Sequence, residues 1–235
     1  MKTLEQAHQE FNYDQLIQEQ LVGQPNAVNA YIECCQRYVG QQKTALIWEG
    51  KNGESEQWSF EQLDVASAQL ANYFKSIGIQ VGDCIAGLLP RTPELLITIL
   101  ATWRIGAIYQ PLFTAFESKA IEHRVLTANT KLIVTNAEQR PKLNHVEVKH
   151  ILTVNAGTNL ASNEADFWQE AEQHSDQCEA VLRSFDDDFL MMFTSGTTGL
   201  AKSVPVPLKA VLAFKGYMQH AVDLREDDSF WNLAD

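Results

Sequence analysis

The hydrophobic positions of this chain change period repeatedly along its length. After Ser59, Leu63, Ala66, Leu70, Phe74 and Ile77 recur at helical spacing, which puts one apolar stripe on a helix. Ser59 followed three residues on by Gln62 is the pattern of a capping box, and Gly78 is the stop. "DCIAGLLP" then reads as a buried strand. "TPELLITILATWRIG" is apolar nearly all round, with Pro93 in its first turn and Gly106 at its end, so it predicts a helix covered on more than one side. The alternation continues with "AIYQPL" as a strand and "ESKAIEHRVLTAN" as a helix carrying Ile121, Val125 and Ala128 on one face. "KLIVT" and "KHILTV" read as strands, "EADFWQEAEQH" as a helix and "FLMMF" as a strand. "LKAVLAFKGYMQHAV" reads as a helix and "SFWNLA" as a last strand. Ahead of these, residues 4–22 and 27–39 read as two short helices around the turn "GQPN". "TALIWEGKNGESEQWSF" reads as a hairpin, Ala45 to Trp48 going out and Gln57 to Phe60 returning.

Strands alternating with helices predict an α/β fold: a parallel-rich sheet with crossover helices on both faces. To this the sequence adds an N-terminal helical segment, expected over 1–42, and the hairpin. The α/β unit is expected over 43–235. "NAGTNLASNE" reads as an exposed loop, and no internal repeat or low-complexity tract interrupts the pattern.

Charge narrows the partners. The 235 residues carry 30 acids against 18 bases, a formal net charge of −12. Such a surface repels nucleic acid and anionic membrane, and an anionic small ligand needs a local device to offset the field. Cys34, Cys35, Cys84 and Cys178 have no CxxC spacing and form no zinc pattern with His145 or His150. They read as reduced thiols of a cytoplasmic protein. "MKTLEQAHQEFNYDQL" is too polar for a signal peptide, and no apolar run reaches membrane-spanning length.

The candidate chemistry lies in "DFLMMFTSGTTGLAKSVPVP", from Asp188 to Pro207. An apolar strand breaks into small residues. Gly196 and Gly199 permit unusual backbone and leave room for a close approach. Thr194, Ser195, Thr197 and Thr198 supply hydroxyls without bulk, and Lys202 supplies charge. Convergent N–H groups, hydroxyls and one ammonium are the inventory for phosphate. Each hydrogen bond to a charged oxygen contributes about 1.5–3 kcal/mol. The plain alternative is a surface loop with no ligand. Against it stand the apolar strand before the loop, the density of hydroxyls and the lysine just after the glycines. "GTTGLAKS" comes within one residue of a Walker A loop, with Ala201 where the second glycine belongs. That loop must begin a helix at its lysine and serine. Here Pro205 and Pro207 push Val204 and Val206 toward extended backbone, so the loop is expected to join strand to strand. A hydrolase elbow fails because Phe193 stands where its first glycine would be.

"FTSGTTGLAKSV" resembles the phosphate-binding signature of adenylate-forming enzymes: acyl-CoA synthetases, luciferases and peptide-synthetase adenylation domains. Their pattern runs Tyr/Phe-Thr-Ser-Gly-Ser/Thr-Thr-Gly-x-Pro-Lys-Gly. The match covers Phe193 to Gly199 and Lys202. Ala201 replaces the usual proline, which is expected to loosen the second half of the loop. Ser203 replaces the last glycine, which argues against positive φ there. The segment from Trp58 to Leu112, with Gly82-Asp83 and Pro93-Glu94, looks like the family's opening α/β unit, and "AIEHRVLTANTKLIVT" like the next. "SFWNLAD" resembles the acetyl, propionyl and medium-chain acyl-CoA synthetase branch.

The resemblance implies a ligase that activates a carboxylic acid with ATP and Mg²⁺ to an acyl-adenylate and passes it to coenzyme A. It assigns ATP and pyrophosphate binding to Thr194, Ser195, Gly196, Thr197, Thr198, Gly199 and Lys202. The family's chains are more than twice as long, and its adenine strand, ribose aspartate, hinge and C-terminal lysine lie later. No catalytic residue and no metal ligand is therefore assigned here, and this chain alone is expected to be incomplete. The alternative is a non-catalytic fragment or phosphate-binding module. A truncated α/β layer would also expose apolar surface, so homo-oligomers of unspecified number are compatible. Arg91, Arg104 and Arg124 could reach coenzyme A phosphates, but a structural or surface role is the simpler reading of each. Asp186, Asp187 and Asp188 read as a solvated cap rather than a metal site, Trp103 as core, and His123 and His220 as helical residues without an evident partner.

Overall fold

The computed structural model describes residues 3–158, 160–194, 199–225 and 227–231. Its N-terminal segment is more broken than the apolar period predicts. Helix α1 spans Leu4–Glu10 and α2 spans Tyr13–Gln20. They separate because Phe11 is extended and the Asn12 side chain accepts from the Gln15 N–H at 3.1 Å. Asparagine there competes for the backbone and restarts the helix. The expected helix over 27–39 shrinks to α3, Ala30–Cys34, and a 3₁₀ turn, Gln36–Tyr38. Again an asparagine sets the start: Asn29 Oδ1 accepts from Tyr31 N at 2.8 Å.

The hairpin is present, with β1 at Thr44–Glu49 antiparallel to β2 at Ser55–Ser59. Helix α4, Phe60–Ser76, opens on the expected capping box. The Ser59 hydroxyl accepts from Gln62 N at 3.2 Å, and Gln62 Oε1 accepts from Ser59 N at 2.8 Å. Ser59→Ala should therefore cost about 1 kcal/mol, read as a lower urea midpoint with an unchanged slope. An unchanged midpoint would mean that tertiary packing alone fixes the helix start.

Seven strands form the main sheet. In chain order they are β3 (Cys84–Leu88), β4 (Ile108–Pro111), β5 (Leu132–Asn136), β6 (His150–Val154), β7 (Glu164–Asp166), β8 (Asp188–Thr194) and β9 (Lys202–Pro207). Their spatial order is β7-β6-β5-β3-β4-β8-β9, parallel throughout except for β9, which runs antiparallel to β8. The expected helix from Glu164 instead begins as β7. Asp166 ends that strand and caps α7, Phe167–Glu172, accepting from Trp168 N and Gln169 N at 3.1 Å each. The remaining helices are α5 (Pro93–Arg104), α6 (Ser118–Thr127) and α8 (Ala210–His220). "SFWNLA" is not borne out as a strand over Ser229 to Trp231, which are exposed and pair with nothing described. Without a ladder partner that stretch is not held as a strand, and Asn232, Leu233 and Ala234 lie outside the described residues.

The pleat sorts the core. Ile85, Leu132 and Val134 face one side with Leu63, Leu70, Phe74, Ile97 and Phe167, beneath α4, α5 and α7. Ala86, Leu88 and Ile133 face the other, against Ile121 and Val125 of α6 and Leu143. Alternate residues of one strand thus supply two cores. A third cluster joins Val28 and Ala30 to Phe185, Phe189, Leu208 and Val211. Asn29 secures this junction, donating to Trp103 O at 2.7 Å and Val181 O at 2.8 Å. The sheet therefore presents the carboxyl end of β8 beside that of β4, where open α/β sheets gather ligands.

Candidate functional site

Strand β8 is half-buried through Phe193 and emerges at Thr194, which is exposed. Strand β9 begins at Lys202, directly opposite Thr194 in the ladder, and the pairing continues as Phe193 with Ser203 and Met192 with Val204. A strand follows the loop, as the prolines predict. Both prolines sit on an edge strand, where a missing N–H is tolerated. Because Lys202 begins a strand, no helix N-terminus faces the loop in the Walker A manner. Ser203 is an ordinary strand residue.

Of the seven residues assigned to phosphate, Thr194, Gly199 and Lys202 lie among the described residues, whereas Ser195, Gly196, Thr197 and Thr198 lie outside them. Gly199 has φ +97°, with open space where a Cβ would stand. Glycine is required there by conformation, not by close packing. Thr194 and Lys202 are both exposed, one on each strand at the hairpin mouth.

Helix α6 reaches this mouth with two successive residues. His123 Nε2 lies 2.8 Å from Ala201 O. The Arg124 guanidinium lies 4.1 Å from the Phe116 ring centroid and 5.6 Å from that of Phe193. Arg124 also donates to Ala120 O at 2.8 Å, and burial lowers its pKa. It seals the end of β8, so the structural reading fits it better than a coenzyme contact. The His123 contact spans 78 positions and was not legible in local pattern. The one available signal was the alanine where the adenylate-forming pattern has proline.

The other candidates are built into the scaffold. Arg104 is buried, donating to Cys178 O at 2.6 Å, Asp64 Oδ1 at 2.8 Å and Asp64 O at 2.9 Å, with its guanidinium 4.3 Å from the Tyr31 ring centroid. Burial, reinforced by the hydrogen bond to Asp64, pushes the Tyr31 hydroxyl far up. Arg91 O accepts from Trp48 Nε1 at 2.7 Å. Trp103 packs 5.4 Å from Phe189 and donates to Phe189 O at 3.0 Å, fixing the start of β8 from α5. Asp187 accepts from Ser184 N at 2.8 Å and Arg183 Nε at 3.0 Å, and the Arg183 hydrogen bond holds its pKa down. Asp186 pairs with Lys209 at 2.8 Å. Among the described residues no group of three or more His, Cys, Asp or Glu is placed to hold a metal ion. Likewise, no helix among them is long and apolar enough to cross a membrane. All four cysteines are free, and burial raises the Cys84 thiol to about 12.

Comparison with known proteins places these features in context. A crystal structure of Brucella canis acyl-CoA synthetase superposes with a TM-score of 0.95 at 46% identity, covering 100% of this chain and 43% of that one. The acetyl-coenzyme A synthetase of Deinococcus radiodurans is 32% identical over 241 residues, covering 91% of this chain and 36% of the enzyme. That of Pseudoalteromonas translucida is 29% identical over 231 residues, covering 88% and 36%. The chain thus spans about a third of the length of the curated relatives it matches. Its sheet and helices match the N-terminal part of the adenylate-forming fold. Since the family model for AMP-binding enzymes matches residues 35–235, the chain belongs to the AMP-binding enzyme family.

Proposed function

We propose that this chain is part of an AMP-forming acid–CoA ligase and supplies the wall that holds the β- and γ-phosphates of ATP. The reaction starts with attack of a carboxylate oxygen on the α-phosphorus, which breaks the bond to the β-phosphate oxygen. It yields an acyl-adenylate and pyrophosphate. The thiol of coenzyme A then takes the acyl group and AMP leaves. The observation that carries the reading is the hairpin mouth: Lys202 stands opposite Thr194, with Gly199 at positive φ between them in the chain.

In this reading Thr194, Ser195, Gly196, Thr197, Thr198, Gly199 and Lys202 contact the leaving group through N–H groups, hydroxyls and one ammonium. Mg²⁺ arrives with the nucleotide. These groups spread charge that develops as the bond breaks, so their contribution is electrostatic and positional. Such a donor set also answers the acidic surface, offering local positive potential within a chain of net charge −12. The reading includes a cytoplasmic setting and the division into a helical segment, 1–42, and an α/β unit, 43–235.

Calorimetric titration of the chain with pyrophosphate and with ATP tests the proposal. Measurable binding is expected, and its absence would remove the phosphate role. The alternative reading is a phosphate-binding module without a complete active site. ATP–pyrophosphate exchange with a panel of carboxylic acids separates the two. Exchange by this chain alone would overturn the module reading.

A further inference from the structure

We propose that His123 is a positioning residue for the descending limb Gly199–Lys202, doing there the stiffening work that proline does in the adenylate-forming pattern. This rests on the phosphate-binding reading above. The limb has little stiffness of its own. Gly199 is free to adopt φ +97°, Leu200 is exposed, and Ala201 fixes no dihedral. A proline at 201 would lock its own φ and restrict the residue before it.

The structure supplies a different restraint. His123 Nε2 approaches Ala201 O to 2.8 Å. A carbonyl oxygen only accepts, so Nε2 carries the proton and donates. The imidazole is held on a fixed base. Ile121 and Val125, two positions to either side of His123 on α6, are buried against the sheet. The next side chain, Arg124, lies over Phe193, whose ladder partner Ser203 immediately follows Lys202. One helix therefore holds both strands at the mouth: His123 by the backbone of the descending limb, Arg124 by the ring at the end of β8. His123 acts through Ala201 on the neighbouring Lys202. A limb already held in place loses less freedom when an anion binds.

The test combines two measurements on the full chain. Amide hydrogen exchange at Leu200 and Lys202 reads the restraint directly, and pyrophosphate calorimetry reads its consequence. His123→Ala should speed exchange at these amides and weaken pyrophosphate binding about three- to ten-fold, the span of a typical net hydrogen bond. His123→Gln, whose amide can still donate, should recover part of both. In an Ala201→Pro background the same His123→Ala change should cost less than about two-fold, because the restraint is then redundant. A purely structural histidine would show no such coupling. Unchanged exchange in His123→Ala would overturn the brace. A loss undiminished in the Ala201→Pro background would overturn its equivalence to proline. If the unmodified chain binds no pyrophosphate, the phosphate reading fails and the ligand-positioning role falls with it. Faster exchange in His123→Ala would then still support the brace. Matching thermal transitions of the His123→Gln and unmodified chains guard against an unfolded variant.

Discussion

Replacing Arg104 by leucine is expected to lower the stability of the chain by about 3–5 kcal/mol, the range for removing one partner of a buried ion pair. Arg104 is 6% exposed and ends α5. Its guanidinium satisfies four acceptors on two other segments: the Cys178 carbonyl, and on α4 the carboxylate and carbonyl of Asp64 and the Ser67 hydroxyl. It also stacks on Tyr31 of α3, an attraction worth more where water is excluded. Leucine fills part of the volume but leaves the Asp64 carboxylate facing the Tyr31 hydroxyl alone and the Cys178 carbonyl without its donor. Arg104→Lys should recover little, since one ammonium cannot reproduce a planar fork aimed in two directions. The double change Arg104→Leu with Asp64→Leu should be milder than the single one, because no charge is then stranded. Urea denaturation gives the comparison. A loss below about 1 kcal/mol for the single change would show that water reaches the cluster and that the ion pair behaves as a surface one.

The consequence extends toward the candidate site. Trp103 precedes Arg104 and holds the Phe189 carbonyl at the start of β8. Asn29 bonds to the Trp103 carbonyl from the N-terminal segment. The end of α5 is thus where the helical segment, α4 and the site's first strand meet. An unanchored α5 terminus would be felt at β8.

What the sequence disclosed follows the reach of each interaction. The Ser59 and Gln62 box closes within three residues, so it reads directly. Pro205 and Pro207 constrain their own neighbours, so the strand after the loop reads equally well. The apolar run of Ile85, Ala86 and Leu88 reveals a strand buried on both faces but not its place at the centre of the sheet. Asn12 and Asn29 were hidden by apolar period that continues past them, although each side chain captures an N–H and restarts a helix. Strand β7 is three residues long and exists because β6 offers a parallel edge, on which Ile151, Leu152 and Thr153 pair with Glu164, Ala165 and Asp166. No local pattern announces that. The candidate site divides the same way. Its glycines, hydroxyls and lysine form one contiguous stretch and are legible together. The brace from His123 depends on a crossover helix folding back over the sheet, and only the structure brings it to Ala201.

Lys202→Ala is expected to weaken pyrophosphate binding about 10- to 100-fold, equivalent to a charged hydrogen bond of about 1.5–3 kcal/mol. Of the three described residues assigned to phosphate, Lys202 alone carries a charge, and its side chain is exposed at the opening residue of β9. An ammonium there attracts anions into a chain whose net charge of −12 otherwise repels them. Two controls separate charge from structure. The ladder between Thr194 and Lys202 is made by backbone, so alanine should leave the melting transition nearly unchanged. Added salt should weaken binding by the unmodified chain more than by Lys202→Ala, because an exposed charge is screened over about 8–10 Å at ordinary ionic strength. Lys202→Arg should retain part of the affinity, since charge survives while the compact point of contact does not. Equal affinity of Lys202→Ala and the unmodified chain would remove Lys202 from the site, leaving backbone N–H groups and hydroxyls as the binding elements. A loss as small as that expected from His123→Ala would instead make Lys202 one more brace of the limb rather than its contact with the anion.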